Sequence, residues 1–137
     1  MLDTGPLGKY NGPTAVSGEL TDPADVARRW LAAANAGDVE AMIDLYSEDA
    51  THESPKVRTT MPGSDGKLVG KAALQAWWEK SIRGVPGLTY ELSALTSDDS
   101  RAVIEYVRRA PGEEAVAVAE IFEIRAGKIV HSIVYHF

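Results

Sequence analysis

Apolar residues recur at helical spacing in three stretches of the chain. In the first, Asp22 is a suitable N-cap, Pro23 suits the first helical position, and Gly37 is a typical left-handed cap at the end. Asp38 can begin a second, short helix, and a third is predicted over 71–83. The apolar positions of the three helices are Ala27, Trp30, Leu31 and Ala34, then Val39, Met42, Ile43 and Tyr46, then Leu74, Trp77, Trp78 and Ile82.

Strand patterns dominate the second half. They predict four strands at about 88–96, 101–110, 115–125 and 128–136, and the short turns between them require antiparallel pairing. A short strand over 50–55 ends at a proline, and the segment from there to Gly70 is predicted to be a mobile loop, with 56–69 placed to act as a lid. The pattern indicates an α+β domain over 21–137 with helices on one sheet face, preceded by an arm or tail at 1–20.

Strand alternation and turn length predict which side chains share a face of the sheet. If 111–114 form a four-residue turn, Glu105 lies opposite Glu120. A bulge in the last strand would exchange His131 for His136, so one of these two histidines is expected in the interior. Besides aliphatic residues, this interior face is predicted to collect Tyr90, Glu105, Arg109, Glu120, His131 and Tyr135.

The opposite face of the sheet is predicted to be almost as apolar. An antiparallel sheet with one solvated face normally alternates apolar and polar residues, and this sequence does not. Because the helices can cover only one side, we expect the second side to meet another subunit in a homodimer. The residues predicted on this face are Ile104, Tyr106, Ala117, Ala119, Ile121, Val130 and Val134.

Composition narrows the class of protein. With 137 residues, 45% of them hydrophobic and 25% charged, the chain is expected to form one globular domain. The absence of cysteine excludes disulfides, thiol nucleophiles and iron–sulfur ligation. A net charge of −6 argues against nucleic acid and anionic membranes as partners. Since no apolar run could span a bilayer and the start does not resemble a secretory signal, a cytoplasmic location is expected.

Neither a metal nor a cofactor is expected. The three histidines, His52, His131 and His136, lack the spacing of metal ligands. The glycines over 66–70 lack the spacing and the Ser/Thr of a phosphate-binding loop.

Four segments together suggest a family. They read WLAAANAGD at 30–38, YSEDAT at 46–51, GKAAL at 70–74 and IFEIRAGKI at 121–129. This combination resembles the nuclear transport factor 2-like superfamily, and most closely its SnoaL-like and ketosteroid isomerase-like branch, over about residues 22–136. The resemblance implies a strongly curved antiparallel sheet wrapped against three helices into a cone, with an open apolar pocket and dimerisation through the outer sheet surface.

The resemblance also indicates which positions could carry chemistry. Ketosteroid isomerases use a helix tyrosine, an aspartate base at the end of the first strand and a protonated aspartate deep in the sheet. The matching positions here are Trp30, Ser54 and Glu120, of which only the last is chemically similar. Ordinary 3-ketosteroid isomerisation is therefore not expected. The arginine and paired aspartates of limonene epoxide hydrolases are not recognisable either.

A replacement for the missing base is present in the same strand. His52 lies two residues before Ser54 and so points to the same side, and an imidazole with a pKa near 6.5 can move protons at neutral pH. A buried Glu120, next to Glu105, would keep its proton and could donate it to a substrate carbonyl. These residues predict a cofactor-independent isomerase, cyclase or dehydratase acting on a small hydrophobic carbonyl compound, such as a steroid- or polyketide-like molecule.

Alternatives remain open for each of these residues. The two carboxylates could form a structural network with Arg109, Tyr90 or Tyr135, and His52 could cap a strand end. The pocket could belong to a binding module without catalysis, or residues 1–20 could drape over a partner subunit. The remaining residues expected to line the pocket are Trp30, Tyr46, Trp78, Tyr90, Glu105, Phe122, His131 and Tyr135.

Overall fold

The helices of the protein surround one face of its sheet. The computed structural model describes residues 22–137, and the predicted arm at 1–20 lies outside them. The α-helices are α1 (Pro23–Ala36), α2 (Val39–Ile43), α3 (Pro55–Thr60) and α4 (Lys71–Trp78), and α4 continues into a π-helical turn, Glu79–Arg83. Asp22 Oδ1 caps α1 by accepting from the Ala24 N–H over 3.0 Å, and Gly37 ends it with φ of 68°. The caps predicted for the first helix are thus confirmed.

Six strands form a single sheet. They are β1 (Tyr46–Glu53), β2 (Lys67–Val69), β3 (Thr89–Ser97), β4 (Arg101–Arg109), β5 (Val116–Arg125) and β6 (Lys128–His136), in the order β2-β1-β6-β5-β4-β3. All neighbours pair antiparallel except β1 and β6, which are parallel. The α+β class and the four late strands are confirmed.

The segment predicted to be a patternless loop contains a helix and a strand. Ser54 Oγ accepts from the Lys56 N–H over 3.1 Å, Pro55 occupies the first turn, and Val57 is fully buried, so a capped helix forms over Pro55–Thr60. Strand β2 then pairs with β1. Tyr46, assigned from its spacing to the second helix, begins β1 instead.

The predicted register of β4 is wrong by one residue. Glu120 pairs with Ile104, not with Glu105, because residues 109–115, an odd number, separate the paired residues Arg108 and Val116. Because the number of residues in this loop is odd, every side chain of β4 lies on the face opposite to the predicted one. Glu105 and Arg109 therefore point outward, whereas Ile104, Tyr106 and Arg108 join Glu120 on the inner face.

A bulge in β6 decides which histidine faces inward. Glu123 pairs with His131, whereas Ile124 pairs with Ile129, so the residue at 130 is extra. His131 and Tyr135 consequently lie on the outer face, contrary to the prediction, and Val134 on the inner one. The residues of β6 that share the inner face are Ile129, Ser132, Val134 and His136.

The inner face is covered by helices. Helix α1 packs on β3, β4 and β5, and α4 packs on β1 and β2. The outer face carries many half-buried apolar side chains, and those on β4, β5 and β6 are Val103, Val107, Ala119, Ile121 and Ile133. Over residues 22–137, no helix is long and apolar enough to cross a membrane.

Candidate functional site

A narrow cavity of about 40 Å³ lies between the inner sheet face and the helices α3 and α4. At roughly 10–15 Å³ per water, it holds on the order of three water molecules. Every strand except β2 contributes to its wall. The lining residues are His52, Ser54, Lys56, Trp77, Trp78, Ser81, Tyr90, Tyr106, Arg108, Val118, Glu120, Val134 and His136.

The Glu120 carboxyl is the acidic group of the cavity. It is 0% exposed, its Oε1 accepts a hydrogen bond from the Tyr106 hydroxyl over 2.9 Å, and its Oε2 has no partner. Burial raises the pKa of Glu120 from 4.5 to about 8, and the Tyr106 hydrogen bond opposes this only in part. At neutral pH Glu120 is therefore a neutral acid that can donate from Oε2. The expected neighbour Glu105 is exposed on the other face and contributes nothing to this shift.

His52 is the second polar group at the deep end. It is 0% exposed, its Nδ1 is hydrogen-bonded to Ser132 Oγ over 2.7 Å, and its Nε2 has no partner. Burial, followed by the charge of His131, lowers the pKa of His52 from 6.5 to about 3. The expectation of an imidazole that titrates near neutrality is thus wrong: His52 is neutral and a weak base.

Aromatic residues form the wall of the cavity and the core behind it. Tyr90 and Tyr106 line it with ring centroids 4.4 Å apart, and the Trp78 ring lies edge-on to His52 with centroids 4.9 Å apart. Trp30 stacks on the side of the Tyr90 ring that faces the core, and its Nε1 donates a hydrogen bond to the Tyr46 hydroxyl over 3.0 Å. Three residues predicted to line the pocket are therefore core residues that support it: Trp30, Tyr46 and Phe122.

Three basic side chains, here called the basic rim, line the less buried end of the cavity: Lys56, Arg108 and His136. Arg108 Nη1 donates to Glu113 Oε1 over 2.7 Å. Burial, followed by the charge of Arg108, lowers the pKa of Lys56. Burial, followed by the charges of Lys56 and Arg108, lowers the pKa of His136. Sequence reasoning missed Lys56 and Arg108. Arg108 lies two residues after Tyr106 on β4, so both side chains point to the same face. The correct length of the β4–β5 turn would have placed both of them on the inner face.

Ser54, predicted at the position of the family's base, lies at the cavity wall but caps α3. Its hydroxyl accepts from the Lys56 N–H, so it fixes the start of the helix that carries Lys56. A serine hydroxyl in that role is an acceptor and not a base.

Three predicted lining residues lie outside the cavity: Glu105, His131 and Tyr135. His131 Nδ1 is hydrogen-bonded to Thr51 Oγ1 over 2.6 Å, and its Nε2 lies 3.2 Å from Glu53 Oε2. Tyr135 is 52% exposed. The network suggested for Arg109 does not reach the site either, because this residue pairs with Glu91 on the surface.

Known proteins share this architecture. A SnoaL-like protein of unknown function from Burkholderia thailandensis is 24% identical, with a TM-score of 0.74 over 82% of this chain and 92% of that one. An NTF2-like protein of unknown function from Burkholderia xenovorans is 25% identical, with a TM-score of 0.67 over 82% and 80%. A candidate ketosteroid isomerase from Kribbella flavida is 17% identical, with a TM-score of 0.69 over 84% and 77%.

The family model of the SnoaL-like domain matches residues 27–132. This match spans most of the chain, and the solved structures share the curved sheet and its helical cover. The expected cone-shaped, nuclear transport factor 2-like fold is confirmed, and the protein belongs to the SnoaL-like domain family.

Proposed function

We propose that this protein catalyses a cofactor-independent proton transfer on a small hydrophobic carbonyl compound. One observation carries the proposal: three buried polar atoms without a partner, Glu120 Oε2, His52 Nε2 and Trp78 Nε1, belong to residues that line the same cavity, and the first two can transfer protons. Buried polar atoms are normally paired, so a pair left free in one cavity is suited to a ligand that supplies both partners.

The chemistry follows from the protonation states of the two groups. Neutral Glu120 donates to the carbonyl oxygen, and His52 Nε2, with its proton on Nδ1 and Ser132 Oγ accepting, faces the neighbouring C–H. Breaking the C–H bond moves its proton to Nε2, and the carbonyl oxygen takes the Glu120 proton to give an enol. The products on the protein are an imidazolium and a carboxylate, so the cavity keeps its net charge. The new carboxylate stabilises the imidazolium, which offsets the low basicity of His52.

The size of the cavity limits the substrate. About 40 Å³ accommodates a ligand of a few heavy atoms beside Glu120. Any larger ligand, from a small keto acid to a steroid- or polyketide-like molecule, would have to extend outward past the less buried end that the basic rim lines. The activity of ordinary ketosteroid isomerases is not proposed, because a serine that caps α3 stands in place of the aspartate base.

Deuterium exchange into a simple ketone tests the proton transfer. We expect the protein to accelerate exchange of the α-hydrogens of pentan-2-one or 4-oxopentanoate in D₂O, followed by proton NMR. Glu120→Gln can still donate a hydrogen bond but cannot transfer the proton, so it should slow exchange about a hundredfold or more. Glu105→Gln, which changes an exposed carboxylate on the outer face, is the matched control and should exchange like the wild type. Full exchange activity in Glu120→Gln would refute the proposed role.

A ligand-binding module without catalysis is the second candidate. The observation that favours it is the pKa of about 3 for His52, which makes this residue a poor base. In that case the ketone and the keto acid would shift the NMR signals of the cavity residues, and exchange would remain at the rate in buffer alone.

We also propose a homodimer formed through the outer sheet face. The support is the series of half-buried apolar side chains on the outer face of β4, β5 and β6, opposite the inner face on which α1 and α4 pack. Ile121→Glu should convert a dimer into a monomer in light scattering, while Glu105→Gln should not. A monomeric wild type would refute the dimer. The cytoplasmic location stays a prediction.

A further inference from the structure

We propose that the ligand of this cavity carries a carboxylate that Arg108 and Lys56 bind at the basic rim. The inference rests on the proposed function and narrows its substrate class to a small keto acid, with the carbonyl at Glu120 and the carboxylate at the rim. The juxtaposition that carries it is one cavity whose deep end is lined by three residues with buried, unpaired polar atoms, Glu120, His52 and Trp78, and whose less buried end is lined by two cationic side chains.

The charge of the cavity is opposite to that of the whole chain. The protein has a formal net charge of −6, yet the cavity wall contains an arginine and a lysine. Among residues 22–137, Glu120 is the one carboxyl in that wall, and it is neutral near pH 7. An acidic protein that concentrates positive charge at one cavity is suited to an anionic ligand.

One ion pair holds Arg108 in place and leaves further guanidinium N–H donors available. Its side chain is 9% exposed, and one of its nitrogens, Nη1, donates to Glu113, which is itself 50% exposed. A guanidinium has five N–H donors arranged to match a carboxylate. Among residues 22–137, Arg108 has no second carboxylate within ion-pair distance, and Lys56 has none. Since an arginine this buried is costly unless it is well paired, a ligand carboxylate supplies what the protein leaves open.

The position of Arg108 suits a ligand that reaches both ends. Along β4, Arg108 follows Tyr106 by two residues on the same face, which is about 7 Å at the rise of an antiparallel strand. Tyr106 binds Glu120, so the guanidinium lies one side-chain layer farther along the cavity. His136, on β6, completes the rim and lies close enough to both cations for them to lower its pKa.

A matched pair of probes tests the inference by binding alone. 4-Oxopentanoate and pentan-2-one have the same carbon skeleton. They differ at one end, where the keto acid has a carboxylate and the ketone has a methyl group. Binding is followed by NMR titration of the three tryptophan indole N–H signals of the full chain. We expect the keto acid to bind at least tenfold more tightly than the ketone, and Arg108→Gln to remove most of that preference without weakening the ketone. Arg109→Gln, the next residue on β4, loses an exposed ion pair to Glu91 on the outer face and should bind like the wild type.

Two further variants guard against a folding defect in Arg108→Gln. Lys56→Gln should lower the preference for the keto acid severalfold. Glu113→Gln releases Arg108 and should keep or increase the preference. Equal binding of acid and ketone by the wild type, equal loss of both in Arg108→Gln, or no binding of either probe would overturn the inference. If the keto acid binds preferentially but its α-hydrogens exchange only at the buffer rate, the proposed function fails while the anion site stands.

Discussion

The Tyr106 hydroxyl donates a hydrogen bond to Glu120 Oε1 over 2.9 Å, and the second oxygen of that carboxyl has no partner. Tyr106 therefore orients the acid so that Oε2 is the oxygen open to a ligand. The same bond favours the ionised form of Glu120, so it keeps the pKa of this group lower than burial alone would set it.

Removing that hydrogen bond should make Glu120 a weaker acid. In Tyr106→Phe we expect the pKa of Glu120 to rise above its value of about 8, because burial persists and the bond that opposes it is lost. Carbon NMR of the labelled side-chain carboxyl measures this pKa. Tyr90→Phe removes a hydroxyl from the neighbouring ring, which donates no hydrogen bond to Glu120, and should leave the pKa of Glu120 almost unchanged. A fall in pKa in Tyr106→Phe would contradict the assignment.

The raised pKa of Glu120 predicts that its contribution to stability is lost as the pH rises from 4.5 to about 8. Below pH 4.5 both folded and unfolded chains hold this proton, and between 4.5 and about 8 only the folded chain does. Unfolding then releases a proton, so the free energy of unfolding decreases with rising pH by at most about 1.4 kcal/mol per unit and levels off above 8.

His52 acts in the opposite direction on the acid side. Its folded pKa of about 3 lies below the unfolded value of 6.5, so its contribution is present above pH 6.5 and is lost as the pH falls toward 3. Between 4.5 and 6.5 the two slopes cancel, and a plateau is expected. Urea unfolding from pH 4 to 9 measures this profile. Glu120→Gln should lose the decline between 6.5 and 8, and Glu105→Gln should keep it. Parallel profiles for wild type and Glu120→Gln would show that another group causes the decline.

Ser54 is expected to matter for stability rather than for proton transfer. Ser54→Ala removes the cap of α3 and should lower the free energy of unfolding by about 1 kcal/mol, whereas Ser54→Thr retains a capping hydroxyl and should lose less. Because α3 carries Lys56, binding of 4-oxopentanoate should weaken modestly in Ser54→Ala. The exchange rate at saturating ketone should not change, and a hundredfold loss there would assign Ser54 a direct part in the chemistry.

Most helices and strands of this fold are predictable from the sequence, but α3 and β2 are not, and the composition of the site is predictable only in part. The family resemblance points to Glu120, and the two-residue spacing to Ser54 points to His52. Tyr106 is predicted on the wrong face, and Arg108 is missed, because one extra residue in the β4–β5 connection reverses the whole strand. The alternation of side chains along β4 does not reveal which face points inward, because the residues of either face fit the pattern equally well.

The bulge in β6 shows the same limit in another form. Residue 130 is a valine that suits either face, so no turn residue or glycine marks the place where the register shifts. The choice between His131 and His136 depends on pairing with β5 over the whole strand, and it becomes visible only once both strands are placed. The lowered pKa of His52 has a similar origin, because it reflects helices that close over β1 from distant parts of the chain.

Removing the hydrogen bond between His52 and Ser132 tests whether His52 has a catalytic role or only a structural one. Ser132 is 0% exposed and is the partner of His52 Nδ1, so Ser132→Ala leaves a buried nitrogen unsatisfied and should cost about 1–3 kcal/mol of stability. In the proposed mechanism it also removes the acceptor that would keep the proton on Nδ1 and leave Nε2 free. We therefore expect α-hydrogen exchange to slow by at least tenfold in Ser132→Ala, with the binding of pentan-2-one nearly unchanged.

The matched control is Thr51→Val, which removes the equivalent hydroxyl–imidazole bond to His131 on the outer face. It should destabilise the fold without slowing exchange. If both variants lose stability and neither loses exchange activity, His52 serves the fold alone and the proton acceptor has to be sought elsewhere in the cavity.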